Sequence, residues 1–330
     1  MQMIRWGIVG LGTIAKKFAD TVTAMGKDRA VLAAAASRDI NKAKAFAEKY
    51  GIENSFGSYG ELFESDCVDA VYICTPNSMH FKNCMAALEN GKHVLCEKPF
   101  AINADEAKEI YGYAEEKNLF IMEALWTLHL PLLKKASELI KQGRIGKIVN
   151  IRADYCFTAE GARRERKFLA ELGGGALLDV GIYNIGFVKM MYGCDPVSIK
   201  TDCILNEYGT DSFGSVLALY PDNRFAAMTS AIGIKAPTEG VIYGTKGRIY
   251  FPDHQKAEKL VITDNDGSTE EISIPFEISG FEYQIDECGR CIENGMTESP
   301  NYTHKQSIEV INTLDRIRKE WDMILTSESR

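Results

Sequence analysis

Ile4-Arg5-Trp6-Gly7-Ile8-Val9-Gly10-Leu11-Gly12-Thr13-Ile14-Ala15 decides how the rest of the chain is read. The apolar run predicts a strand, the glycines a tight turn, and the residues from Thr13 onward a helix. The spacing Gly10-x-Gly12-x-x-Ala15 is a dinucleotide fingerprint. Gly10 permits the turn, Gly12 lets backbone approach a pyrophosphate, and small Ala15 lets the helix pack close to the strand. Thr13 and Ile14 open the helix, whose first N–H groups and positive dipole end suit phosphates. Any glycine-rich α/β turn shares these residue types. The apolar strand before it and the helical period after it favour a nucleotide site.

Moving outward, strands and helices alternate. Val31–Ala36, Asp69–Cys74, His93–Cys96 and Leu119–Met122 are apolar runs suited to strands buried on both faces. Between them lie helical repeats, such as Ala43, Phe46, Ala47 and Tyr50, or Ala107, Ile110, Tyr111 and Ala114. Asn103 with Glu106 is a helix-start pattern, and Asn77 or Ser78 is placed to cap the helix beyond Thr75-Pro76. Such alternation predicts a Rossmann-type, doubly wound parallel sheet over residues 1–123.

After Glu123 the rhythm changes. A helix is expected near 132–140, a half-exposed strand over 149–157, and a helix over 176–191. Seven strand-like runs then follow with turns such as Gly244-Thr-Lys-Gly247 and Asp264-Asn-Asp-Gly267, and two helices finish the chain. Residues 124–330 therefore read as an α+β domain with a mostly antiparallel open sheet.

The 330 residues suit two domains, and 45% apolar with 25% charged residues describes a globular protein. The net charge of −8, with scattered basic residues, argues against nucleic acid or an anionic membrane as partner. No apolar run approaches the ~20 residues of a membrane span. The N-terminus runs straight into a strand without a signal-peptide pattern, so the expected compartment is the cytoplasm. Nine scattered cysteines are not a disulfide framework. Cys288-Gly-Arg-Cys291 places two thiols on one helix face, read as core packing, and no metal site is expected.

In a sheet of this kind the tip of the second strand meets the adenosine ribose. Here it is Ser37-Arg38, followed by Asp39. A guanidinium and a hydroxyl suit the 2′-phosphate of NADP; Asp39 is either an NAD selector or a helix cap. NADP is the favoured cofactor, with NAD as the alternative. Thr75, Pro76, Asn77 and His80, and then Glu97-Lys98-Pro99, fall beyond strand ends, where ligands bind. The Pro after Lys98 sets the backbone, with a cis bond as one option. In the second half, Gly173-Gly-Gly-Ala-Leu-Leu-Asp179-Val-Gly-Ile-Tyr183 opens a helix with an acid and a phenol four residues apart, on one face of an otherwise apolar segment. Such groups need a cleft or buried partners.

Together these motifs resemble the glucose–fructose oxidoreductase (Gfo/Idh/MocA) family over essentially the whole chain. Tyr183, Met122-Glu-Ala-Leu-Trp-Thr127 and the Gly173–Tyr183 segment are similar to its dihydrodiol dehydrogenase and NADP-dependent D-xylose dehydrogenase branch. Leu128-His129 departs from that branch, where an Arg and aromatic residues are expected. The resemblance implies Lys98, Asp179 and Tyr183 as catalytic residues, with Trp126 and Tyr155 beside them lining the substrate site. It implies hydride transfer to or from a sugar, polyol or cyclic diol, and a homodimer or higher oligomer. Oxidising a secondary alcohol removes a hydroxyl proton and a hydride, and either Lys98 or Tyr183 suits the proton step, with Asp179 orienting. Two other readings are an NAD-dependent glycoside hydrolase and a nonenzymatic NADP-binding sensor.

Overall fold

The computed structural model describes residues 3–323, and of residues 162–165 only the backbone. The chain divides into two compact units, residues 1–126 with 277–308, and residues 127–276 with 309–330. The second half thus returns a segment to the first unit.

In the first unit the opening stretch forms strand β1 (Arg5–Val9), a turn, and helix α1 (Thr13–Met25). β2 (Val31–Ala36), α2 (Ile40–Tyr50), a short β3 (Asn54–Phe56), α3 (Tyr59–Glu64), β4 (Ala70–Ile73), α4 (His80–Glu89), β5 (His93–Glu97), α5 (Ala104–Lys117) and β6 (Ile121–Ala124) follow. The six strands pair in the order β3-β2-β1-β4-β5-β6, and every pairing is parallel. This is the doubly wound arrangement, with its reversal of strand order at β1 and β4. β3 and α3 are too short for a periodic signal, although Ser58 and Glu61 close a reciprocal capping box at the start of α3. Asn103 caps α5 by accepting from Glu106 N–H at 2.8 Å. No side chain caps α4, contrary to the expectation for Asn77 or Ser78; residues Asn77–Met79 instead make a 3-10 turn that runs into the helix.

The core beside β1 holds Trp6, Ile8, Phe18 and Tyr72, with Phe18 stacked on Tyr72 at 4.0 Å between ring centres. Cys288 and Cys291 are fully buried in that core, so the pair packs as small apolar groups.

The second unit begins with α6 (Pro131–Lys141), β7 (Ile148–Phe157) and α7 (Gly161–Phe168). A π-helical turn, Leu177–Gly181, leads into α8 (Ile182–Tyr192). The helix expected over 176–191 is thus present, but its first turn is wider than an α-turn. Strands β8 (Ser198–Leu205), β9 (Asp211–Tyr220), β10 (Arg224–Ile232), β11 (Gly240–Gly244), β12 (Gly247–Phe251), β13 (Lys259–Asp264) and β14 (Thr269–Ser273) complete an eight-stranded sheet. Its order is β14-β13-β12-β11-β7-β10-β9-β8, antiparallel except where β7 meets β10. Both predicted turns close hairpins, β11–β12 and β13–β14. Helix α9 (Glu282–Glu293) belongs to the first unit, and α10 (His304–Glu320) ends the described chain. No helix among the described residues is long and apolar enough to cross a membrane.

Candidate active site

Gly10 has φ +90°, and a Cβ there would meet Cys74 O and Thr75 Cγ2 at 3.1 Å. Only glycine fits this turn without strain. At Gly12 no atom lies within 4 Å of the place a Cβ would take, and no side chain caps α1. The start of α1 thus keeps its N–H groups and an open approach, which fits a dinucleotide pyrophosphate.

At the tip of β2, Ser37 is buried and Arg38 is exposed. Asp39 caps α2, accepting from the N–H groups of Asn41 and Lys42 at 2.9 and 3.4 Å. Of the two readings of Asp39, the structure therefore shows the helix cap.

Beyond β4, Asn83 Nδ2 donates to Thr75 Oγ1 at 3.0 Å. His80 is wholly buried, with Nδ1 2.9 Å from Pro99 O and Nε2 3.1 Å from Thr75 O. Burial lowers its pKa, against the pull of the two carbonyls that face its ring nitrogens. His80 lies between the turn after β4 and the turn after β5, and its ring has no exposed surface.

The Lys98–Pro99 bond is cis. Two buried carboxylates lie near it, Glu97 directly before Lys98 in the chain and Glu123 through Phe100. Glu97 accepts from Tyr72 O–H at 2.5 Å. Glu123, in β6, accepts from Phe100 N–H at 3.0 Å and from Tyr302 and Ser307 hydroxyls at 2.7 Å each. Burial raises both acids, and the Lys98 charge opposes that rise in each; Lys17 opposes it at Glu97. The Lys17 ammonium stands 4.3 Å from the centre of the Trp126 ring and 4.0 Å from that of Phe281. Trp126 is only 2% exposed. Lys17 stands over its ring and the Phe281 ring is tilted beside it at 5.2 Å between centres.

In the second unit the glycines at 173–175 let the chain fold back before the π turn. Gly175 has φ +114°, and a Cβ there would overlap Asp211 Oδ1. The Asp211 carboxylate is fully buried and accepts from Leu177 N–H at 2.8 Å. Burial pushes its pKa up to about 7. Gly181 lets the segment lie against β10, where a Cβ would stand 3.1 Å from Ser230 Oγ.

This segment carries Asp179, half-buried and ion-paired with Lys167, and Tyr183, 7% exposed. The Tyr183 ring lies 5.7 Å from that of Tyr155, centre to centre, and Tyr155 lies 6.2 Å from Phe157. An acid, a phenol and aromatic faces on one side of a sheet suit binding and proton exchange on a hydroxylated carbon skeleton. π-turns are rare and are often found at functional sites.

Four residues of consequence escaped the sequence reading. Lys17 sits one turn into α1 and Glu123 ends an apolar run, which are weak signals at best. Lys167 closes the basic run Arg163-Arg164-Glu165-Arg166-Lys167. Asp211 has no local signal, because its role is set by a segment more than 30 residues away.

Residues 4–125 match the Gfo/Idh/MocA oxidoreductase family with an NAD-binding Rossmann fold, and residues 133–250 match the C-terminal domain of that family. The chain belongs to the Gfo/Idh/MocA family. It is similar to the trans-1,2-dihydrobenzene-1,2-diol dehydrogenase of Danio rerio, 30% identical with 99% of each chain covered. It is also similar to the D-xylose 1-dehydrogenase (NADP(+)) of Hypocrea jecorina, 32% identical over 96% of this chain and 92% of that one. A 3-ketoreductase from Actinomadura kijaniata, solved with TDP-benzene and NADP, superposes with a TM-score of 0.85 at 26% identity, covering 96% of this chain and 98% of the other. A Gfo/Idh/MocA member with this fingerprint is an oxidoreductase that uses a nicotinamide dinucleotide.

Proposed function

We propose that this family member is an NADP-dependent oxidoreductase that transfers a hydride between the nicotinamide and a secondary alcohol or carbonyl of a sugar, polyol or cyclic diol. The observation that carries the reading is the half-buried Asp179 and the buried Tyr183 on one glycine-led helical segment, set against the Tyr155 ring. Relatives named for a cyclic diol and for xylose support the substrate class.

NADP is favoured over NAD because Asp39 is engaged in capping α2, which leaves the exposed guanidinium of Arg38 and the hydroxyl of Ser37 for a 2′-phosphate. Gly10, Gly12, Thr13, Ile14 and Ala15 hold the pyrophosphate, and Thr75, Pro76 and Asn77, with Glu97 and Lys98, border the nicotinamide end. When bound, the nicotinamide accepts or returns the hydride. Lys98, Asp179 and Tyr183 are the catalytic residues: Lys98 and Tyr183 supply the proton exchange at the reacting oxygen, and Asp179 holds the substrate. Tyr155 lines the substrate.

The open face of the eight-stranded sheet supports a homodimer. Phe225 stands opposite Leu219, Leu217 lies two residues further on the same face, and Ile204 stands opposite Phe213. Ile204, Leu217 and Phe225 are 62%, 48% and 43% exposed, an apolar surface suited to a second copy. Sedimentation of Leu217→Arg should show a shift from dimer to monomer. The buried thiols of Cys96 and Cys288 suit a cytoplasmic setting.

The deciding experiment follows absorbance at the NADPH band with purified protein, NADP and a panel of aldoses, inositols and cyclic diols. NADPH formed in step with product upholds the reading. Glycoside cleavage without net reduction points to a hydrolase, and silence across the panel points to a sensor.

A further inference from the structure

The basic run ending at Lys167 plays no part in the family motifs, yet its last side chain reaches the substrate-side acid. Lys167 Nζ is ion-paired with Asp179 Oδ2, with 24% of the lysine and 22% of the aspartate side chain exposed. The same ammonium stands 5.0 Å from the centre of the Phe157 ring. Phe157, Tyr155 and Tyr183 form a continuous aromatic surface beside the pair, at 6.2 and 5.7 Å between successive ring centres.

The backbone around Lys167 is pinned. Its carbonyl accepts from Gly175 N–H at 2.8 Å, Phe168 O accepts from Thr210 Oγ1 at 2.7 Å, and Leu169 O accepts from Gly174 N–H at 3.0 Å. The end of α7 is thereby fastened to the glycine turn that leads to Asp179. Partly exposed ion pairs contribute little stability, and ordering a lysine costs side-chain entropy. Stability alone is therefore a weak reason for this arrangement.

An ammonium only donates hydrogen bonds, an ionised carboxylate only accepts them, and a hydroxyl does both. An adjacent ammonium and carboxylate thus match two neighbouring hydroxyls, while flat rings cover the C–H face of the same ligand. We propose that Lys167 is a substrate-binding residue that works with Asp179. Lys167 donates to one hydroxyl oxygen, Asp179 accepts from the next, and the site selects a neutral substrate with hydroxyls on adjacent carbons. A substrate carboxylate is disfavoured because Asp179 already neutralises the lysine and repels a second anion. The inference rests on the dehydrogenase reading only for what the bound substrate then undergoes.

The test compares trans-1,2-cyclohexanediol with cyclohexanol, which lacks the second hydroxyl, on the full chain loaded with NADP. Binding is read by calorimetry and turnover by NADPH formation. The wild type should prefer the diol by about 10- to 100-fold, the size of a hydrogen bond to a charged group. Lys167→Met should abolish that preference, and Lys167→Arg should restore part of it. An equal loss for both ligands would make Lys167 a mere prop for Asp179 and overturn the proposal, as would an unchanged preference or no diol binding by the wild type. A Lys167-dependent preference in binding without turnover upholds this role while the dehydrogenase reading fails. Turnover with no such preference does the reverse.

Discussion

Leu177 N–H donates to Asp211 Oδ2 at 2.8 Å, so one buried carboxylate on β9 anchors the start of the segment that carries Asp179 and Tyr183. Sheet and helical segment are joined there by a buried hydrogen bond, which satisfies an N–H group at the start of the segment.

Gly175 makes room for that carboxylate. Gly175→Ala adds a Cβ that overlaps Asp211 Oδ1, at a backbone angle of +114°. It should lower stability by at least about 1–3 kcal/mol, the cost of a strained backbone residue. Urea unfolding checks this, and a midpoint equal to wild type would refute the packing.

Asp211 also sets a pH dependence. Burial pushes it up to about 7, against the pull of its backbone bonds and of Arg318. In the unfolded chain an Asp ionises near 3.9. Between those values the folded state holds a proton that the unfolded state has lost. The stabilisation from this group is therefore complete below the unfolded pKa and is lost as pH rises through about 7. Asp211→Asn should narrow the gap between unfolding midpoints at pH 5 and pH 8. An unchanged gap would show that the titration belongs elsewhere.

Glu123 is the acceptor for Phe100 N–H and for the hydroxyls of Tyr302 and Ser307. Glu123→Ala should cost about 1–3 kcal/mol for each buried donor left without an acceptor. Because Phe100 follows the Lys98–Pro99 turn, Glu123→Gln should keep the fold but lower kcat more than it changes NADPH affinity. Thermal melts with steady-state kinetics separate the two effects.

Arg38→Asp should weaken NADPH relative to NADH by about 10-fold or more, as expected for the loss of a charge-assisted bond to phosphate. Fluorescence titration with both nucleotides reads the ratio, and an unaltered ratio removes Arg38 from cofactor selection.

Lys98→Met and Tyr183→Phe should retain NADPH binding while turnover falls about 10²- to 10⁴-fold, the usual contribution of a general acid or base. Full activity in either variant would remove that residue from the proton exchange.

The sequence by itself determined the parallel sheet, the fingerprint turn and most of the strands after residue 198. Those features are local: a run of apolar residues, a glycine spacing or a two-residue period acts over one element and shows in its own letters. It also placed Lys98 beyond a strand end and put Asp179 and Tyr183 on one segment, because strand ends and helical spacing are equally local. Tertiary structure decided what no window along the chain contains. Lys17 and Phe281 closed over Trp126, and Pro99, from the turn after the next strand, met the His80 ring. Lys167 and Asp211 came to the Asp179 segment from a basic helix and a distant strand. In each case the partner lies elsewhere in the chain, and buried polar groups take their roles from the partner that satisfies them, which is a property of the packed chain.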